Sequence, residues 1–285
     1  MEVRGFTKQY PVSALALGIC DGCHLGHQLL LSRADALLSF SPHPDKVLKK
    51  NPDIKVLTTD AERRYYIPNQ LFLDFTTQIA SLSATDFLDQ IHAAIGFTSV
   101  VVGDDFQFGH QQGGCTKALK HWGDENGVHI QVMDSYSDEK GHAIKSQNIR
   151  RLLAEGDLDT AVEDLGHSYL ILGTVVPGEG RGKDLGFPTA NLSVPADKQL
   201  PGPGVYAADL IRAGRYHSAI VYIGSKPTFH ATDGSQSIEV HIPGLDDDLY
   251  SEELAVFLTK FIRGEQKFAS SEELVSQIQK DLAQI

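Results

Sequence analysis

No stretch of the chain limits its structure and chemistry as much as the glycines at Gly178, Gly180, Gly182 and Gly186 and the residues that trail them, Phe187-Pro188-Thr189-Ala190-Asn191. A run this rich in glycine is a loop, and its backbone N–H groups can come up to an anion with no Cβ in the way. Arg181 and Lys183 add positive charge beside them. Thr189 and Asn191 offer hard oxygens of the kind that suit Mg2+ and phosphate. The run therefore reads either as a phosphate site built without a Walker lysine loop or as a surface hairpin with two basic residues.

After this loop the chain is punctuated by Pro and Gly. Short apolar runs at 205–211, 218–223 and 237–242 read as the strands of a small β-barrel. One helix closes the chain: Ser270-Ser271-Glu272-Glu273 is a capping-box pattern, with Leu274, Ile278 and Leu282 as its expected buried stripe. Before the loop, Tyr169–Val176 is an apolar strand, and 146–165 is helical, with Ile149, Leu152 and Leu153 on one face. A boundary near Gly166, with a linker of 166–168, divides the chain into domains 1–166 and 167–285.

In the first half, strands such as 99–102 alternate with helical stretches such as 84–94, the pattern of an open, Rossmann-like parallel sheet. The fold class is thus α/β, followed by a barrel. Residues 12–17 form a buried strand that turns through Gly18-Ile19-Cys20-Asp21-Gly22-Cys23-His24-Leu25-Gly26-His27 into a helix. A strand, a tight turn and a helix N-terminus make an anion site. His24 and His27, three apart, can present both rings on one side of the first turn, where they would stabilise a phosphate undergoing transfer. Gly26 permits close approach.

Composition narrows the alternatives. A length of 285 residues with 41% hydrophobic content supports two cores. The formal charge of −12 argues against a nucleic-acid surface, and no membrane-spanning stretch is visible. Three cysteines fit a reducing, cytoplasmic setting. Cys20-Asp21-Gly22-Cys23-His24 is a formal C-x-x-C-H match for haem attachment, and with His27 it suggests zinc. Against haem, the chain opens without an export signal. Against zinc, all four ligands would fall within eight residues. Both cysteines read better as packing thiols. Oligomeric state is not encoded in any pattern here.

The stretch 186–191, with Gly204-Val205-Tyr206 and then Ile223-Gly224-Ser225-Lys226-Pro227-Thr228-Phe229, resembles the riboflavin kinase family. The likeness continues through Ile238-Glu239-Val240-His241, Asp248-Leu249-Tyr250 and 261–268. The turn at 18–27 resembles the nucleotidyltransferase domain fused to riboflavin kinase in bacterial bifunctional FAD synthetases. Ser41-Pro42-His43-Pro44, 102–109 and Ile149-Arg150 fall where that family has its later motifs. The resemblance implies two ATP- and Mg2+-dependent reactions: riboflavin to FMN, then FMN to FAD with release of pyrophosphate. It makes Glu239 the kinase base, although strand alternation alone would leave it a solvated side chain. It places Gly178, Arg181, Gly182, Lys183, Thr189 and Asn191 on ATP, with the last two also holding Mg2+. It gives Gly18, Asp21, Gly22, Gly26, Ser146 and Arg150 to the second nucleotide site beside His24 and His27, and Asp105, Phe106 and Arg263 to the flavins.

Several positions depart from the family pattern. The interval between His27 and Phe40 is short, so 36–40 is expected as a very short strand. Cys20 replaces an aromatic residue. The Ser-Ser-Thr-x-Ile-Arg pattern reads Lys145-Ser146-Gln147-Asn148-Ile149-Arg150, which loses the threonine hydroxyl. Tyr222 stands where asparagine is common, Lys226 where arginine is common, and 243–245 where an acidic-aromatic turn is common. A riboflavin kinase whose first domain has become a nucleotide- or flavin-binding module is the second reading.

Overall fold

The computed structural model describes residues 3–5, 11–178, 182, 185–225, 236–245 and 247–285. Two compact units divide the chain, Met1–Ser146 and Gln147–Ile285.

In the first unit the elements run β1 (Ala14–Leu17), α1 (Leu25–Leu31), β2 (Ala36–Ser41), α2 (Pro44–Val47), α3 (Asp60–Tyr66), β3 (Gln70–Asp74), α4 (Thr77–Ala80), α5 (Ala84–Ile95), β4 (Ser99–Gly103), β5 (Gln107–Phe108), β6 (Gly114–Cys115), α6 (Thr116–Asn126) and β7 (His129–Met133). Five strands form a parallel sheet in the order β3-β2-β1-β4-β7, and β5 and β6 make a separate ribbon. A sheet covered on both faces needs strands apolar on both sides. Leu15, Leu17, Leu38, Val100 and Val102 accordingly enter one core layer, and Ala16, Leu37 and Val101 the other.

Phe87, Leu88, Ile91 and Ile95 on α5 recur at helical spacing and seal the first layer. The Ser83 hydroxyl accepts the Asp86 N–H at 3.1 Å at the start of α5, and Gly96, at φ 82°, ends it. The expected strand 12–17 starts at Ala14, and the expected helix 84–94 runs one residue further. The very short strand expected at 36–40 is instead a six-residue β2 of ordinary length. The helix before it, α1, has seven residues.

α7 (Ser146–Glu155) starts at the last residue of the first unit. In the second unit come α8 (Leu158–Leu165), β8 (Tyr169–Val176), β9 (Ala190–Ser193), β10 (Gly204–Arg212), β11 (Arg215–Ser225), β12 (Gln236–His241), β13 (Glu253–Arg263) and α9 (Ser271–Leu282). Six antiparallel strands close a barrel in the order β10-β11-β12-β9-β8-β13. Alternate residues fill it, among them Tyr206, Ala208 and Leu210 on β10 and Ile238 and Val240 on β12.

The helical stretch 146–165 is two helices, because Gly156 takes φ 83° and Asp157 caps α8 by accepting the Thr160 N–H at 3.1 Å. The pair is tied into the second unit: the Gly202 N–H donates to Leu153 O at 2.7 Å, and the Phe261 N–H to Asp159 Oδ1 at 3.2 Å. Gly166, at φ 71°, ends α8. The box expected at α9 is displaced: the Ser270 hydroxyl accepts the Glu273 N–H, whereas the Glu273 carboxylate accepts the N–H of Ala269. The stripe Leu274, Ile278 and Leu282 is only half-buried, and the residue α9 buries fully is Asp281. The deepest contact of this helix is ionic.

Candidate active sites

In the first unit β1 lies between β2, its successor in sequence, and β4, so the chain changes direction across the sheet there. Ligand crevices in open parallel sheets form outside the carboxyl ends of the strands at such a point. The turn after β1 and the segment 103–106 after β4 both stand at that edge.

The turn after β1 is sharply wound, with Cys20 and Cys23 both at φ 48° and Gly22 at φ 86°. Asp21, 3% exposed, holds it. Its carboxylate accepts the backbone N–H groups of Leu57 and Thr58, at 3.0 and 2.9 Å, and the Thr58 hydroxyl at 3.3 Å. The same hydroxyl accepts the Gly22 N–H at 3.0 Å, and Ser146 Oγ donates to the Asp21 carbonyl at 2.8 Å. Gly18 ties the exit of β1 to β2 through its N–H and Leu38 O, 3.2 Å. The Arg63 guanidinium donates to Ile19 O at 3.1 Å and pairs with Asp60. Neither Arg63 nor Thr58 was expected in the site. The Thr59 and Glu62 capping spacing foretells α3, but no local pattern shows its arginine reaching back 44 residues.

The turn delivers His24 as the extended residue that opens α1. The rings of His24 and His27 stack with centroids 3.6 Å apart and planes inclined by 21°. Gly26 sits close beside the pair: a Cβ there would stand 3.3 Å from both His24 Cε1 and Tyr136 Cβ, tighter than ordinary contact. Burial, the neighbouring His24 and then Arg63 hold His27 well below the ordinary imidazole range. His27 is therefore neutral near pH 7, a hydrogen-bonding group rather than a cation. On the β4 side Asp105 is exposed, 4.0 Å from Lys145 Nζ, and Phe106 stacks on Phe108 at 5.3 Å. His43, after β2, accepts the Asp45 N–H at 3.2 Å and caps α2. Arg150 lies half-buried on α7, and Gln147 is exposed near its start.

Cys20 and Cys23 pack in the core layer with Ala16, Leu30, Leu37, Ile67 and Val101. Burial pushes the Cys20 thiol up to about 12, and the Cys23 thiol upward too. Among the described residues no three His, Cys, Asp or Glu side chains are gathered as a metal site. The packing reading accounts for both cysteines.

In the second unit Glu239 is on the face of β12 opposite Ile238 and Val240. Its cross-strand partners are Asn191 on β9 and Tyr222 on β11, so one row across three strands reads Asn191, Glu239, Tyr222. Thr189 Oγ1 donates to Glu239 Oε2 at 3.2 Å. One turn of the pleat away, His241 Nδ1 donates to Pro188 O at 2.8 Å, and its ring meets Phe187 edge-on at 5.5 Å. A carbonyl only accepts, so this ring carries its proton on Nδ1. Both ends of the segment 187–189 are thereby pinned to β12.

Gly182 is a packing requirement, since a Cβ there would overlap the Phe187 backbone carbonyl, and one on Gly178 would displace the Asn191 amide. The Phe187 N–H donates to Gly182 O at 2.8 Å. Gly180, Arg181, Lys183 and 226–229 lie outside the described residues. Arg263 is committed to α9: its Nε lies 3.1 and 2.9 Å from the two Asp281 carboxylate oxygens, its Nη2 2.8 Å from Oδ2, and Phe268 flanks it at 5.7 Å.

A parallel sheet with a histidine-bearing turn at its switch point, joined in one chain to a barrel that sets a carboxylate beside two hard-oxygen side chains, defines a two-unit transferase built to handle phosphates. Residues 7–148 match the family model for FAD synthetase, and 165–285 that for riboflavin kinase. The chain is 35% identical to a bifunctional riboflavin kinase/FMN adenylyltransferase of Listeria monocytogenes, over 94% of this chain and 89% of that protein. Enzymes of the same name from Bacillus subtilis and Escherichia coli K12 are 34% and 33% identical, each over 94% of this chain and 90% of its relative. A crystal structure of a Streptococcus pneumoniae protein called a macrolide-efflux protein superposes with a TM-score of 0.84 at 30% identity, over 98% of this chain and 94% of that one. Among the described residues no helix is long and apolar enough to cross a membrane. The chain belongs to the bifunctional riboflavin kinase/FMN adenylyltransferase family and carries both of its enzyme domains.

Proposed function

We propose that residues 167–285 transfer the γ-phosphoryl group of ATP to riboflavin, and that residues 1–166 adenylylate the resulting FMN to FAD. The observation that carries the kinase assignment is the hydrogen bond from Thr189 to Glu239, with Asn191 as cross-strand neighbour. In this reading Glu239 accepts the proton of the 5′-hydroxyl as its oxygen bonds to phosphorus and ADP leaves. Thr189 and Asn191 supply neutral oxygens beside a carboxylate, a donor set that suits Mg2+, and these two residues would hold it. Bound Mg2+ would neutralise charge on the phosphate oxygens. Gly178, Arg181, Gly182 and Lys183 line the phosphates, and Arg263, its charge balanced by Asp281, faces the flavin side.

For adenylyl transfer, an FMN phosphate oxygen attacks the α-phosphorus of ATP and pyrophosphate leaves. His24 and His27 bind the phosphates, Gly18, Asp21, Gly22 and Gly26 shape the turn, Ser146 and Arg150 serve ATP, and Asp105 and Phe106 frame the flavin. The anchored Asp21 and the stacked pair of rings support an intact site. Gln147, in place of a threonine, favours the second reading, a kinase with a binding-only first domain. We further propose a cytoplasmic enzyme whose partners are riboflavin, FMN, FAD and ATP. Its free cysteines and its charge of −12 support that setting and speak against nucleic acid.

The test is chromatography of flavins after incubation with riboflavin, ATP and Mg2+. FMN followed by FAD is expected, and EDTA should stop both steps. FMN that accumulates and is never converted would leave only the kinase, and no product at all would refute both assignments.

A further inference from the structure

Glu239 has two flanks. On one stand Asn191 and Thr189, the hard-oxygen groups; on the other stands Tyr222, its direct partner across β11 and β12. Tyr222 does not project freely. Its ring leans along β11 over Gly224, where any Cβ would overlap the phenol, and its hydroxyl donates to Glu265 Oε1 at 2.7 Å. Glu265 belongs to the segment that follows β13, two residues after Arg263 is locked to Asp281. Val205 links these groups, since it pairs with Tyr222 on one side and with Arg263 on the other. Burial first, then the bond to Glu265 and the charges of Glu265 and Glu239, raise the phenol to about 12, so it remains a donor at any working pH.

We propose that Tyr222 is a specificity-determining residue of the kinase site: with Glu265 it forms a tethered wall on the flank of Glu239 away from the phosphate groups, against which the flat aromatic carrier of the acceptor alcohol rests. This rests on the kinase reading above. A base that removes a proton from an attacking hydroxyl must see the alcohol from one side while the phosphate is held on the other. With the phosphate donors on the Asn191 side, the carrier comes in over Tyr222, and a phenol ring held by a charge-assisted hydrogen bond is a preorganised surface for it.

The experiment compares Tyr222→Phe, Tyr222→Asn and Glu265→Gln with the parent chain. It measures kcat and KM for riboflavin and for ATP, and riboflavin affinity by quenching of flavin fluorescence without ATP. Circular dichroism and urea melts of the same preparations report on the folding of the barrel. Loss of one tethering hydrogen bond should raise KM and Kd for riboflavin about three- to tenfold in Tyr222→Phe. Glu265→Gln, whose amide oxygen still accepts the bond without the charge, should lose less, the double variant should add little to Tyr222→Phe, and Tyr222→Asn should cost more than either. KM for ATP should stay within about twofold, because ATP meets the other flank.

Unchanged riboflavin affinity in Tyr222→Phe and Tyr222→Asn, or a loss that falls on ATP instead, overturns the proposal. The underlying reading fails separately, if Glu239→Gln still phosphorylates riboflavin at the parental rate. A Tyr222-dependent riboflavin Kd would in that case still support the wall.

Discussion

His27 shows how one side chain ties local geometry to a property of the whole first unit. It is buried against His24 and within the field of Arg63, so it holds a proton less tightly in the folded chain than the unfolded value of 6.5. As the pH falls through that value the unfolded chain takes up a proton that the folded chain refuses, so stability is lost on the acid side and is complete above it. Between about pH 7.5 and 5.5, the urea midpoint of the first unit should fall more in the parent than in His27→Gln, which cannot titrate. Parallel curves would mean that His27 is charged or solvated. In the proposed adenylyl site a neutral imidazole would meet a phosphate through a hydrogen bond rather than as a cation.

At the scale of elements, α9 is the instructive case. Its apolar positions are half-buried, and its firmest anchor is Asp281, 2% exposed, against Arg263 at 15%. A buried ion pair is costly to break from one side, because the remaining charge stays in a poorly solvated place. Asp281→Asn should therefore destabilise the second unit by about 3 kcal/mol. Ser270→Ala, which removes only the cap, should cost about 1 kcal/mol. Equal losses in urea melts would refute the ranking. The anchor stands where the segment with Glu265 starts. The sequence pattern foretold α9 itself, because a cap and a 3.6-residue period are local. It did not foretell the acid on the buried side, because Asp281 acquires its partner from a strand 18 residues earlier.

For the whole molecule, two units with separate candidate sites predict separable chemistry. His27→Ala should abolish FAD formation and spare FMN formation. Glu239→Ala should do the reverse when FMN is supplied, with phosphorylation reduced about 10²- to 10⁴-fold. Loss of both activities in a folded variant would contradict two independent sites.

The motifs at 18–27 and 186–191 were legible without a fold, because each is a continuous stretch whose chemistry is local: a turn, a helix start, a pair of hard oxygens. So were the parallel sheet and the barrel, read from alternation of strands with helices in one half and of strands with Pro and Gly in the other. The break at Gly156 was missed, since a glycine inside an apolar helical period is tolerated as often as it ends a helix. The contacts around the chemistry were not legible from any local pattern, although the family resemblance had already grouped Thr189 with Glu239. Asp21 meets Thr58 across 37 residues, Thr189 meets Glu239 across 50, and Tyr222 meets Glu265 across 43. Side-chain type and spacing name the groups that can do chemistry. Which of them stand together depends on strand order and register, which arise from hydrogen-bond pairing between distant segments and leave no trace in any local pattern. The order β11-β12-β9 is what sets Glu239 between a phenol and an amide.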